Sequence, residues 1–150
     1  MKLSHGIIAM FVGSFVINFF LVSPIMVNKR AHITNNIGKA YMSVIMALFM
    51  VLLEIMMHDN QYHVLSMKSY LFVIAGIIVF VYLYRNQVLI NDKQYLEGMI
   101  EHHSMALLTS DEILKKTNNY ELAKIAKNII QNQTDEIEQM KKVIKKYDAI

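Results

Sequence analysis

Cysteine is absent from the 150 residues, which excludes disulfides, thiolate metal sites and thiol chemistry. Acidic residues are scarce in the first 90 positions, where Glu54 and Asp59 stand against Lys2, Lys29, Arg30, Lys39, Lys68 and Arg85. Residues 91–150 hold nine lysines and ten acids, so the excess of positive charge belongs to the first part alone. The pI near 9.0 therefore reflects cations set beside apolar runs rather than a basic patch, and nucleic acid is not an expected partner. There is one proline, Pro24, and no glycine-rich loop of the kind that cradles phosphates. Strand-like alternation, internal repeats and low-complexity tracts are also missing.

What is present is hydrophobic sequence, 55% of the chain, which is more than a soluble domain of this size hides easily. Three runs, about 6–28, 40–58 and 68–85, have the length and composition of membrane-spanning helices. The first is long and lacks a small-x-small cleavage site, so it reads as a retained span, with Pro24 near its end where a kink costs little. The third is close to the shortest length that spans; Lys68 and Arg85 bracket it and Tyr82 and Tyr84 suit an interfacial belt. The first loop and the segment after the third span carry Lys29, Arg30, Lys39, Arg85 and Lys93, whereas the other side carries Lys2 and Lys68. The positive-inside rule then puts the N-terminus outside and the C-terminal segment in the cytoplasm. The chain thus divides into an anchor, residues 1–88, and a polar segment, residues 89–150.

From about Asn91 the pattern becomes amphipathic. Tyr95, Leu96, Met99, Ile100, Ala106, Leu107, Ile113 and Leu114 recur at helical spacing, and Asn91 with Gln94 resembles a capping box. Lys116-Thr117-Asn118-Asn119 breaks the pattern, and Asn118 with Glu121 is a second cap candidate. A second stripe follows through Leu122, Ile125, Ile129, Ile130, Ile137, Met140, Val143 and Ile144. The expected unit is a helical hairpin, and an antiparallel turn near residue 118 sets His103 opposite Gln133 and Met99 opposite Ile137. Glu136 and Met140 then lie within about one turn of those levels, so imidazole, amide, carboxylate and thioether converge, as a metal site in a bundle requires. His102 sits about 100° round the helix from His103. A histidine pair on a helix is also a common hydrogen-bonded feature, and two adjacent histidines need a second helix or chain to share one ion.

Other chemistries test poorly. A di-iron bundle needs Glu-x-x-His, and neither Glu97 nor Glu101 has histidine three residues later. The His-Glu-x-x-His pattern is absent. Ser104 follows the histidine pair with no acid to complete a triad, so no catalytic constellation is found. In the second span Met42, Met46, Met50 and Glu54 form an i, i+4 row, closed by Met57 and His58, with His63 beyond. Soft sulfurs along one helix face can relay Cu(I) or Ag(I), and they also serve simply as packing between spans.

The run Met99-Ile100-Glu101-His102-His103-Ser104-Met105-Ala106, with Gln133-Thr134-Asp135-Glu136-Ile137-Glu138-Gln139-Met140, resembles the signature of the domain-of-unknown-function-305 family. Tyr41-Met42 with Met46, Met50 and Glu54, and Asp92 with Leu96, resemble its membrane-anchored branch. The resemblance implies a ferritin-like helical arrangement and, since some members bind copper, candidate ligands Met99, His102, His103 and Met140. Glu136 and Gln133 would ligate or support those ligands. Two positions depart from the pattern: Met105 replaces a frequent glycine and Thr109 a frequent methionine, so Met105 is an added thioether near the set.

The expectation is an all-α protein with three transmembrane helices and a ferritin-like hairpin. A lone hairpin leaves apolar surface uncovered, so two copies pair into a four-helix bundle as a homodimer or higher oligomer. The expected function is copper binding in metal handling or tolerance, with Cu(I) favoured by thioether plus imidazole and zinc as the alternative metal. The rival is a structural or assembly protein whose hairpin only oligomerises. A membrane enzyme that borrows a metal comes third.

Overall fold

Every regular element in the computed structural model, which describes residues 3–149, is helical. Lys2, one of the cations in the orientation argument, lies outside the described residues. The elements are α1 (Leu3–Val16), continued by a π-helical stretch (Ile17–Val22), α2 (Ser23–Met26), a 3-10 turn (Arg30–His32), α3 (Ile37–Tyr62), α4 (Met67–Arg85), α5 (Asp92–Leu114) and α6 (Tyr120–Tyr147). The widened turns lie just upstream of Pro24, whose nitrogen has no hydrogen for the carbonyl one turn back and whose ring crowds it. Three helical segments are long and apolar enough to cross a membrane: Leu3–Met26, Ile37–Tyr62 and Met67–Arg85.

Two compact units emerge. The first comprises residues 1–22 and 37–89. Its centre is α3, against which both α1 and α4 pack. Leu48, Val51, Ile55 and Val73 form the core, joined by Ile7, Phe11, Tyr70 and Phe80. Small Ser43 and Ala47 on α3 are fully covered, as close backbone approach between apolar helices requires. The Tyr41 hydroxyl donates to the Val88 carbonyl at 2.9 Å, and its ring meets Phe80 edge-on. Both long helices end on non-glycine residues in left-handed conformation. His63 (φ 52) follows α3 and Gln87 (φ 51) follows α4, while Val64 N–H reaches the Asp59 carbonyl and Val88 N–H that of Leu83. These are Schellman ends, and they give His63 a backbone role.

The second unit comprises residues 23–36 and 90–150. This unit takes in α2, at the end of the first apolar helix, and the residues that follow it, together with the hairpin. Asn91 caps α5 by accepting Gln94 N–H at 2.9 Å. The cap of α6 is Asn119, accepting Leu122 N–H at 3.0 Å, one residue beyond the expected Asn118. At the far end Tyr147 hydroxyl donates to Asp92 at 2.9 Å and Lys93 pairs with Asp148. Between the helices Ile100, Leu107 and Ile137 are buried, with Ile130, Met140 and Ile144 packed on them.

The segment 23–36 lies along α5 as a strap, held by polar contacts. Asn28 N–H and His32 Nδ1 both meet Ser104 Oγ at 2.9 Å. Thr34 N–H donates to Glu101 Oε1 at 2.6 Å, its hydroxyl donates to the Glu97 carbonyl, and Asn28 Nδ2 reaches Asp111. Glu97, Glu101, Ser104 and Asp111 recur at helical spacing, so one face of α5 is polar and yet covered.

Candidate metal centre

The three faces of α5 follow from a rotation of about 100° per residue. One carries Ile100, His103 and Leu107 toward α6, and a second carries Glu101 and Ser104 to the strap. The third, roughly opposite the strap, carries Tyr95, His102, Thr109 and Ile113, all exposed. On α6, Lys141 lies on the strap side, where its ammonium meets His32 Nε2 at 3.2 Å. The other flank of α6 carries Leu122, Ile125, Glu136 and Val143, again exposed. The hairpin therefore has one face closed by its own chain and one open face, apolar at its ends, with His102 and Glu136 at its middle and His103 between the helices beside them.

At that middle, His103 Nδ1 lies 2.7 Å from the Met99 carbonyl, and Nε2 lies 2.7 Å from Glu136 Oε2. A carbonyl has no hydrogen to give, so Nδ1 carries one. Nε2 then presents Glu136 either with a proton, as an ion pair, or with a lone pair that a metal ion can take. A ligating histidine commonly donates its second nitrogen to a backbone carbonyl in this way. Gln133 Nε2 also reaches Glu136 Oε2, at 3.5 Å. Glu136 rather than Gln133 faces His103, so the hairpin register is displaced by about one turn from the expected one.

Met99 precedes His103 by one turn on α5, and Met140 follows Glu136 by one turn on α6. Because the helices are antiparallel, both thioethers stand toward the same end, about 5 Å from the His103–Glu136 level. Met140 is half-buried against the hairpin core, and Met99 and Met105 are half-buried on α5. The ring of His102, on an exposed residue, is 6.1 Å from that of His103, centroid to centroid. Among the described residues no three His, Asp or Glu side chains gather into a metal-holding group. In one chain, then, an imidazole and a carboxylate meet, with thioethers a turn away.

The anchor's methionine row lies along α3. Met42, Met46 and Met57 are exposed and Met50 is half-buried. Glu54 turns onto α1, where its carboxylate lies against Gly6 and would have to shift for a β-carbon there. His58 bonds Asp59 at 3.2 Å, and its ring lies tilted against that of Tyr62, centroids 4.7 Å apart.

The sequence reading did not find His32. It sits 2.9 Å from Ser104 Oγ, the separation of a nucleophile and its base, and both residues are buried, at 4% and 0% exposure. The polarity of the contact is wrong for that role. Lys141 can only donate, so Nε2 accepts and Nδ1 keeps the hydrogen that goes to Ser104. His32 is therefore a neutral clasp and not a base. Burial, followed by the ammonium groups of Lys141 and Lys29, holds its pKa below the ordinary 6.5, with Glu138 opposing. The unfolded ring protonates near pH 6.5 and the folded ring only at lower pH. The strap should be fully docked above that value and loosen as pH falls through the lowered folded value. Amide exchange at Asn28 and Thr34, corrected for intrinsic rate, should rise on acidification, and His32→Gln should flatten that dependence.

The family described as domain of unknown function (DUF305) matches residues 83–144, which contain α5 and most of α6. The uncharacterized protein L153 of Acanthamoeba polyphaga mimivirus is 32% identical over 139 residues, 92% of this chain and 90% of its own length. This chain belongs to the DUF305 family. The likeness to the viral relative is too long to stop at the hairpin and extends over both units. No solved structure matches. Within the matched segment, His102 lies on the open face of α5, His103 turns toward α6, and Glu136 of the Gln133–Met140 run meets it. The strap contacts involve residues outside the matched segment.

Proposed function

We propose that the protein is a membrane-anchored metal-binding protein that holds copper, as Cu(I), in metal handling or tolerance. The observation that carries the reading is His103: its Nδ1 is tied to the Met99 carbonyl and its Nε2 directed at Glu136. His103, Glu136, His102, Met99 and Met140 would hold the ion, with Gln133 supporting Glu136. Thioethers beside imidazole suit Cu(I), whereas imidazole with carboxylate alone suits Zn(II). A second hairpin over the open face would cover Tyr95, Ile113, Ile125 and Val143 and double the donor set, giving a ferritin-like four-helix bundle. The three apolar helices would sit in the membrane with the hairpin on the cytoplasmic side, following the cations of the first loop and of the segment after α4.

A second reading is favoured by the same contact. With His103 doubly protonated, the Met99 carbonyl and Glu136 satisfy both nitrogens, and the hairpin becomes an oligomerisation module without metal. Elemental analysis of the full chain, purified under reducing, copper-replete conditions, separates the two. Stoichiometric copper in the wild type, lost in His102→Ala/His103→Ala, is the expected result. No metal in the wild type, with an intact oligomer, selects the second reading.

A further inference from the structure

In the anchor, α1 and α4 both pack on α3 and leave a groove of about 420 Å³ between them. Phe11 and Val12 form one wall, Phe72 the other, and Val51 lies on the floor. At one end stand Lys68 and Ser69, in the first turn of α4. Elsewhere the lining is apolar, and the volume is that of a small-ligand site.

Lys68 is exposed and has no ion-pair or hydrogen-bond partner among the described residues. The acids of the anchor are directed elsewhere. Asp59 accepts the Ser66 N–H at 2.6 Å and its hydroxyl at 2.8 Å, and Glu54 is turned onto Gly6. A lysine at the end of a span carries its charge to the headgroup level. An apolar trough that ends in an uncompensated ammonium matches a molecule with a hydrocarbon chain and an anionic head.

We propose that this groove binds one acyl chain of an anionic phospholipid whose phosphate pairs with Lys68. This rests on the membrane reading given above. A zwitterionic lipid carries its own cation and gains less from Lys68, so headgroup charge is the selective feature. The Ser69 hydroxyl stands beside Lys68 as a second donor to the phosphate.

The test uses the full chain in nanodiscs of equimolar phosphatidylglycerol and phosphatidylcholine, with retained lipid counted by native mass spectrometry. The expected result is one tightly held lipid per chain, with phosphatidylglycerol preferred about fivefold, as one surface lysine supplies. Lys68→Gln should bring the two lipids to parity without loss of retention, and Val12→Trp should fill the groove and remove the lipid. A preference unchanged in Lys68→Gln, or retention unchanged in Val12→Trp, overturns the proposal. So does a Val12→Cys chain that cross-links to a second copy, since another protein helix would then occupy the groove. If alkaline carbonate releases the chain from membranes, the membrane reading fails and the groove proposal with it. A chain that stays in the membrane and shows no headgroup preference defeats this proposal alone.

Discussion

Ser104→Ala is expected to release the strap, at a cost of about 2–4 kcal/mol, because two covered donors lose one acceptor. Ser104 is 0% exposed, and its Oγ receives both Asn28 N–H and His32 Nδ1–H. Alanine keeps the helix and removes the oxygen. Neither donor then has a replacement, because water does not reach a fully buried position without opening the strap. Amide exchange at Asn28 should become fast while amides in the middle of α5 and α6 stay protected. Thr109→Ala is the control: its hydroxyl is exposed and only bonds back to carbonyls of its own helix, so its effect should stay within about 0.5 kcal/mol. Under the proposed copper reading, Ser104→Ala should leave metal retention in place, since the strap and the open face lie on opposite sides of α5.

Ile137→Ala should have an equal or larger effect, about 2–5 kcal/mol. Ile137 is 2% exposed and forms the hairpin core with Ile100 and Leu107. Few buried apolar side chains join α5 to α6, and Ala126 is too small to compensate. The cavity would lie beside Met140 and one position from Glu136, so this variant should lower both stability and metal retention. Chemical unfolding of the solubilised full chain should show an earlier midpoint, with α5 and α6 losing protection together.

The helices were legible because each has a plain physical signature. Three apolar runs with few charges stand beside two amphipathic stripes, and Asn91 is a side-chain acceptor just before the fifth helix. The choice between Asn118 and Asn119 was not legible, since both residues can cap and only the chain path decides which oxygen reaches the third amide. The hairpin register was readable to within a turn, and this turn is the difference between Gln133 and Glu136 opposite His103. The strap left no periodic trace, because a loop that crosses 72 residues of sequence to reach Ser104 obeys no local rule. A clue was present on the helix itself: Glu97, Glu101, Ser104 and Asp111 mark a polar stripe separate from the exposed one. The methionine row shows the converse. Its spacing was read correctly, but spacing does not say whether a face meets protein or lipid, and Met42 and Met46 are exposed.

The account centres on imidazole and thioether donors of the hairpin sharing one copper ion. X-ray absorption of the copper-loaded full chain, in detergent and under reducing conditions, tests this most directly. Nitrogen scattering with an imidazole pattern, together with sulfur, is predicted, and both the pattern and the bound copper should be lost in His102→Ala/His103→Ala. Copper bound without imidazole scattering, or retained in the double variant, would contradict it.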